Sequence, residues 1–241
     1  MVEGGEDSKS RLRRMIGDAG VACLDGACVA VFGIGGVGSN CAEALVRGGV
    51  GSLVLVDRDV VSRSNINRQA VAFMSTVGRA KVDVMAEMAR DINPDVRVEV
   101  REVFVLDNVG EVLEGCPPLD FVVDAVDTVA AKVALAKYAQ ERGIPIVSAM
   151  GGANKLDPTQ LRFADLFETE HCPLCRAMRK AARAAGVASL PVLYSCEQPV
   201  RVREEPGADR RERTELGTMS YMPPIMGQMI AGYVIRKLLG M

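Results

Sequence analysis

The sequence predicts an α/β fold, a mostly parallel sheet with helices on both faces, extended by a C-terminal strand and helix region. Three observations carry this. Short runs rich in valine and isoleucine alternate with segments of helical periodicity. Those runs are short and β-branched, and their alternation with helices argues for a sheet covered on both faces. Turn residues bound each run at spacings that suit right-handed crossovers. At 241 residues the chain can bury a self-sufficient core. It reads as one domain, with residues 1–150 forming the α/β core and 151–241 an extension that continues the sheet and ends in a helix.

The elements follow in order. Cys28–Phe32 is a strand, leading through a glycine turn to a helix over Val37–Arg47. A second strand covers Ser52–Asp57, and a helix over Lys81–Asp91 stops at Asn93-Pro94. Val96–Val100 is a strand, Asn108–Leu113 a short helix, and Phe121–Val123 a strand. Val129–Glu141 is helical up to Gly143, with Pro145–Ser148 the next strand. After Gly151 the pattern changes. DPTQLRFADL leaves the first unit as a strand, and PLCRAMRKAARAAG is a helix opened by proline and closed by glycine. The mixed charges and central Pro206-Gly207 of RVREEPGADRRERTEL indicate an exposed hairpin or mobile loop. In MPPIMGQMIAGYVIRKLLGM the prolines, Gln228, Arg236 and Lys237 leave too short an apolar run to span a bilayer, so it reads as a core or dimer helix with no membrane insertion.

Composition narrows the function. A net charge of −2 gives no global attraction to polyanions, so an RNA partner must meet a local basic patch. Arg176, Arg179, Lys180 and Arg183 offer one at helical spacing. Seven cysteines, an odd count, and an N-terminus without an apolar stretch point to the cytoplasm. Cys23, Cys28, Cys41 and Cys116 read as small core fillers. His171, Cys172 and Cys175, with Cys196 as a fourth ligand, have zinc-binding chemistry, but the second CxxC pair of a structural site is missing.

The glycine turn is the first chemical signal. Gly33, Gly35 and Gly38 have the G-x-G-x-x-G spacing between strand and helix, the arrangement of Rossmann-like sheets that present helix amides to phosphate. Asp57, about twenty residues on, is placed for ribose hydroxyls. The turn does not distinguish NAD from ATP; DRDVVSRSNINRQ does. A hydride-transfer site needs no dense set of amides and cations there, whereas attack on an α-phosphate and departure of pyrophosphate do. Asn65, Arg68 and Lys81 are the right residue types. Asp127, past the fourth strand, is placed to hold magnesium; Asp124 caps or braces that turn, and Thr128 is an N-cap.

GIGGVGS, DRDVVSRSNINRQ, VGRAKVDVMAEMARDINPDV and DAVDTVAAK, in that order, make the chain resemble the ubiquitin-activating-type adenylyltransferases, the superfamily of the thiamine and molybdopterin sulfur-carrier activating enzymes. The resemblance implies an ATP- and Mg²⁺-dependent enzyme. Gly33, Gly35, Gly36, Gly38, Asp57 and Asp59 then line the nucleotide site, and Asn65, Arg68, Lys81 and Asp127 contact phosphates and metal. It also implies an arginine lent by the N-terminal helix across a homodimer; in SRLRRMIG, Arg11 comes first and Arg14 next. DPTQLRFADL, CPLCRAMRKAARAAGV, LYSCEQP and SYMPPIMGQMIAGYVIRKLL extend the likeness to the branch that dehydrates a modified tRNA adenosine. That branch adenylates the threonyl carboxylate beside the anticodon and cyclises it. The competing reading activates the C-terminal glycine of a ubiquitin-like sulfur carrier. On either reading the partners expected of the chain include a cysteine desulfurase or sulfur-acceptor protein. A nucleotide-binding adaptor and a dehydrogenase are the readings from other classes.

Overall fold

The computed structural model describes residues 7–200 and 216–241. The hairpin or loop expected at 201–216 lies outside the described residues except for Leu216. Among the described residues one seven-stranded sheet runs in the order β3-β2-β1-β4-β5-β7-β6. The strands are β1 (Cys28–Phe32), β2 (Ser52–Val56), β3 (Arg97–Arg101), β4 (Phe121–Asp124), β5 (Ile146–Ala149), β6 (Leu161–Asp165) and β7 (Pro191–Ser195). All neighbours pair in parallel except β6 and β7, so the sheet closes on one antiparallel edge.

The expected helices are present as α2 (Gly36–Arg47), α3 (Lys81–Ile92), α4 (Val109–Val112), α5 (Val129–Arg142), α6 (Pro173–Ala184) and α7 (Met222–Leu238), preceded by α1 (Ser10–Gly26). Gly143 ends α5 in the left-handed conformation, φ +64°, as its position after the last turn requires. β1 shows why the strands read as unbroken apolar runs. Val29 and Val31 pack under α2, α3 and α7, while Ala30 and Phe32 pack against α4 and α5 on the other face. A third cluster, built on Met178, Leu190 and Val192, seats α6 against α5.

Three features depart from expectation. β7 was not foreseen, and it inserts between β5 and the DPTQLRFADL strand, which becomes the edge strand β6. Pro191 at its first position masks it as a turn. α1 is interrupted at Gly17 (φ 69°, ψ 177°), and only Leu24 of it is buried. Cys23 is consequently exposed rather than a core filler, its thiol donating to the Leu238 carbonyl at 3.4 Å. Cys28 and Cys41 are buried as expected. The terminal helix is a core element: α7 lies along α2 so closely that a Cβ on Gly227 would sit 2.5 Å from the Val37 carbonyl. No helix among the described residues is long and apolar enough to cross a membrane.

Candidate active site

A cleft of about 600 Å³ opens at the carboxyl ends of β1, β2, β4 and β5. Successive strands from β1 are added to one side, and β4 and β5 to the other. The cleft therefore straddles the reversal of strand order, where open α/β sheets bind ligands. Gly33, Gly35, Gly36, Asp57, Asp59, Asn65, Arg68, Lys81 and Asp127 all line it.

The turn after β1 allows no side chain at two of its glycines. Gly33 adopts φ +87° with the Ala125 carbonyl 2.7 Å from where a Cβ would stand. Gly38 does not line the cleft; its missing Cβ would lie 1.7 Å from the Gly33 carbonyl, so its role is to let α2 close onto β1. Gly35 caps α2 without a side-chain hydrogen bond, which leaves the first amides of α2 for an anion in the cleft.

The segment after β2 is held by its own polar groups. Asp57 accepts the Ile34 N–H at 2.6 Å on one oxygen and the Asp59 N–H at 2.8 Å on the other. It thus ties the glycine turn to the end of β2, and each oxygen keeps a second lone pair for a ribose hydroxyl. Asp59 accepts from Lys81 Nζ at 2.8 Å. Asn65 closes a capping box in which its Oδ1 accepts the Ser62 N–H at 3.0 Å, so the group it has to offer a ligand is Nδ2. Arg68 donates through one terminal nitrogen to the Ser64 carbonyl at 3.0 Å and to Asn67 Oδ1 at 2.8 Å. It has no carboxylate partner among the described residues. Gln69 lines the same wall with its Oε1 buried and unpaired among the described residues.

Across the cleft, Asp127 is exposed and accepts the Thr128 hydroxyl at 3.3 Å. Thr128 holds the N-cap position of α5 without a side-chain cap bond, so its expected capping role is corrected to support of Asp127. Asp124 braces the turn as expected, accepting the Val126 N–H at 3.2 Å. Sequence reasoning missed Phe104, which lies 4.0 Å from the Arg58 guanidinium, and the wall of Met150–Ala153, Leu174, Thr218 and Pro223. The two glycines after Met150 were the available signal: a Cβ on Gly152 would meet Met226 Sδ at 2.6 Å. Residues before and after position 150 both contribute to the cleft.

Other candidates lie elsewhere. Arg11 is exposed on α1 and does not line the cleft of its own chain. Its neighbour Arg13 is held by Asp7 and Asp18, and the Arg13 guanidinium draws the Asp7 carboxyl down to about 2. On α6, Arg176, Lys180 and Arg183 face solvent, whereas Arg179 turns inward to the Thr169 carbonyl at 2.8 Å and hydroxyl. Cys172 and Cys175 are buried at the start of α6. The Cys172 thiol is drawn down to about 6 by its hydrogen bond from the Cys175 thiol, whose own value rises. His171 turns outward to Gln198, and no three potential metal ligands gather among the described residues.

Comparison with known proteins places these features. A family model described as the ThiF family matches residues 8–241. The tRNA threonylcarbamoyladenosine dehydratase of Bacillus subtilis (strain 168) is 39% identical over 239 residues, covering 95% of this chain and 94% of that protein. The enzyme of the same name from Escherichia coli (strain K12) is 41% identical over 172 residues, 71% of this chain and 63% of that protein. A crystal structure of the E. coli tRNA N6-threonylcarbamoyladenosine dehydratase in complex with ATP superimposes with a TM-score of 0.84 at 33% identity, covering 95% of this chain and 92% of that one.

Proposed function

This chain belongs to the ThiF family, and we infer from that premise that it is an ATP-dependent tRNA threonylcarbamoyladenosine dehydratase. One observation carries the reading: the α2 amides, Asn65, Arg68, Lys81 and Asp127 converge on one cleft at the switch point of the sheet, in a chain whose dehydratase relatives match it nearly end to end. The buried Gln69 Oε1, unpaired among the described residues, adds support for a wall completed by a ligand.

In this reading the glycine turn and the α2 amides hold the phosphates, and Asp57 and Asp59 lie toward the ribose. A threonyl carboxylate oxygen of the modified adenosine attacks the α-phosphorus of ATP, and pyrophosphate leaves toward Arg68, Asn65 and Lys81. The carbamoyl group of the same nucleoside then attacks the activated acyl carbon. AMP departs with the carboxylate oxygen, and the closed ring is lighter by one water. The second nucleophile is tethered to the first, so proximity replaces a protein nucleophile. Asp127 fits a magnesium ion, being an exposed hard carboxylate at the cleft with room for phosphate oxygens and water as further ligands. Bound there, the ion supplies charge neutralisation at the phosphates.

Arg176, Lys180 and Arg183 are proposed as tRNA phosphate contacts, with Arg179 supporting their helix. A homodimer in the cytoplasm, with Arg11 lent to the partner's cleft, completes the assignment. The dehydration itself moves no sulfur, and a cysteine desulfurase or sulfur-acceptor protein is proposed as a further, docking partner of the chain. The test incubates purified protein with ATP, Mg²⁺ and threonylcarbamoylated tRNA and weighs the released nucleosides. Loss of one water from the modified adenosine is expected. Persistence of the open form together with adenylation of a ubiquitin-like carrier peptide overturns the reading in favour of carrier activation.

A further inference from the structure

Behind the cleft wall formed by Ala125–Asp127 and Ala149 lie three polar side chains that the adenylation chemistry does not use. Asp124 ends β4, Ser148 sits opposite it in register on β5, and Lys132 belongs to the first turn of α5. All three are 0% exposed. Lys132 Nζ donates to both Asp124 oxygens at 3.2 Å, to Ser148 Oγ at 3.2 Å and to the Ala149 carbonyl at 2.7 Å. Ser148 Oγ donates to Asp124 Oδ2 at 2.5 Å, and Asp124 Oδ1 accepts the Val126 N–H at 3.2 Å. Every charged group in the set is paired and hydrogen-bonded, which is the condition for tolerating burial.

Such a pair is a poor device for stability alone, because well-packed apolar residues of similar volume usually do as well. What it does fix is geometry. The turn from Ala125 to Asp127 is clamped between two anchors: the Ala125 N–H donates to the Phe32 carbonyl at 2.8 Å on the glycine-turn side, and the Val126 N–H reaches Asp124 on the other. The next residue is Asp127. Lys132 meanwhile holds the Ala149 carbonyl, where the same wall continues from the end of β5.

We propose that Asp124, Lys132 and Ser148 are positioning residues that set the Asp127 turn for the phosphate end of the nucleotide. The inference rests on the ATP reading of the cleft but not on the identity of the RNA. Preorganisation of this kind is felt in binding and rate when the supporting shell loosens.

The test is a double-mutant cycle on the dissociation constant of ATP, measured with Mg²⁺ and without tRNA. Ser148→Ala removes one donor to Asp124 while leaving the two charges paired, so the fold is retained and checked by melting. Ser148→Ala and Asp127→Ala are each expected to weaken ATP about fivefold. In the Asp127→Ala background, Ser148→Ala is expected to add less than about twofold, because it acts through Asp127. Independent losses that multiply, or Ser148→Ala binding ATP as the unaltered protein does, overturn the proposal. If Ser148→Ala does not fold, Ser148→Cys, which keeps a weak donor of similar size, enters the same cycle with the same criteria. Failure of the unaltered protein to bind ATP overturns the reading of the cleft itself, and the inference with it.

Discussion

Lys81, Arg68 and Asp127 face the same cleft, but their substitution has different consequences. Lys81 is paired with Asp59 and its side chain is only 7% exposed, so truncating it removes packing as well as charge. Among the described residues Arg68 has no carboxylate partner and Asp127 meets only the Thr128 hydroxyl. Arg68→Ala and Asp127→Ala are therefore the clean probes of chemistry. Each is expected to lower turnover of modified tRNA by about 10² to 10³ while moving stability by about 0.5 kcal/mol or less. Rate and melting temperature measured on the same samples check this, and unaltered rates in both variants remove the assignment. These side chains were legible in the sequence because charge-bearing residues cluster just past predicted strand ends. Gln69 was not, although it adjoins Arg68, because an unpaired buried amide oxygen is visible only once its surroundings are folded.

At the scale of elements, the packing of α7 on α2 links the chain's last helix to its first loop. Gly227 passes the α2 backbone so closely that an alanine Cβ would meet the Val37 carbonyl at 2.5 Å and the Cys41 nitrogen at 2.8 Å. Neither is the end of a flexible side chain, so Gly227→Ala must move one helix. It is expected to cost about 1 to 3 kcal/mol. Because α7 also seats Pro223 over Gly36 at the cleft, ATP affinity should fall with it. Calorimetry and ATP titration decide this, and a lower melting temperature with undiminished ATP binding shows that α7 does not shape the cleft. On α6, Lys180→Ala should raise the KM for tRNA, leave kcat alone and reduce the salt slope of binding by about one. An unchanged slope places the RNA elsewhere. The parallel strands and their helices were legible because both faces of β1, β2 and β4 are covered, which writes them as continuous apolar runs. β7 was not, since it is short, opens on proline and acquires meaning only by pairing with β5 and β6. The α2–α7 contact was also hidden. Its local sign is a lone glycine, and its partners lie far apart along the chain.

For the whole molecule the residue to test is one that lies outside the cleft it is proposed to serve. Arg11 sits exposed on the part of α1 ahead of the Gly17 break, outside the cleft of its own chain. It can act only if a second copy brings it to the neighbouring cleft. In a symmetric dimer each site would then combine one subunit's Arg68 with the other's Arg11. Arg11→Ala and Arg68→Ala homodimers each lack one of the two at both sites and should be inactive. A mixed dimer differs: the subunit carrying Arg11→Ala keeps its own Arg68 and receives Arg11 from the subunit carrying Arg68→Ala, restoring one site, while the other site loses both. Equal amounts of the two variants, unfolded and refolded together, should recover about a quarter of wild-type turnover, since half the dimers are mixed and each has one working site. Failure to regain activity while native mass measurements show mixed dimers rejects Arg11 as the lent residue, and the same mixture made with Arg14→Ala then decides whether its neighbour fills that role.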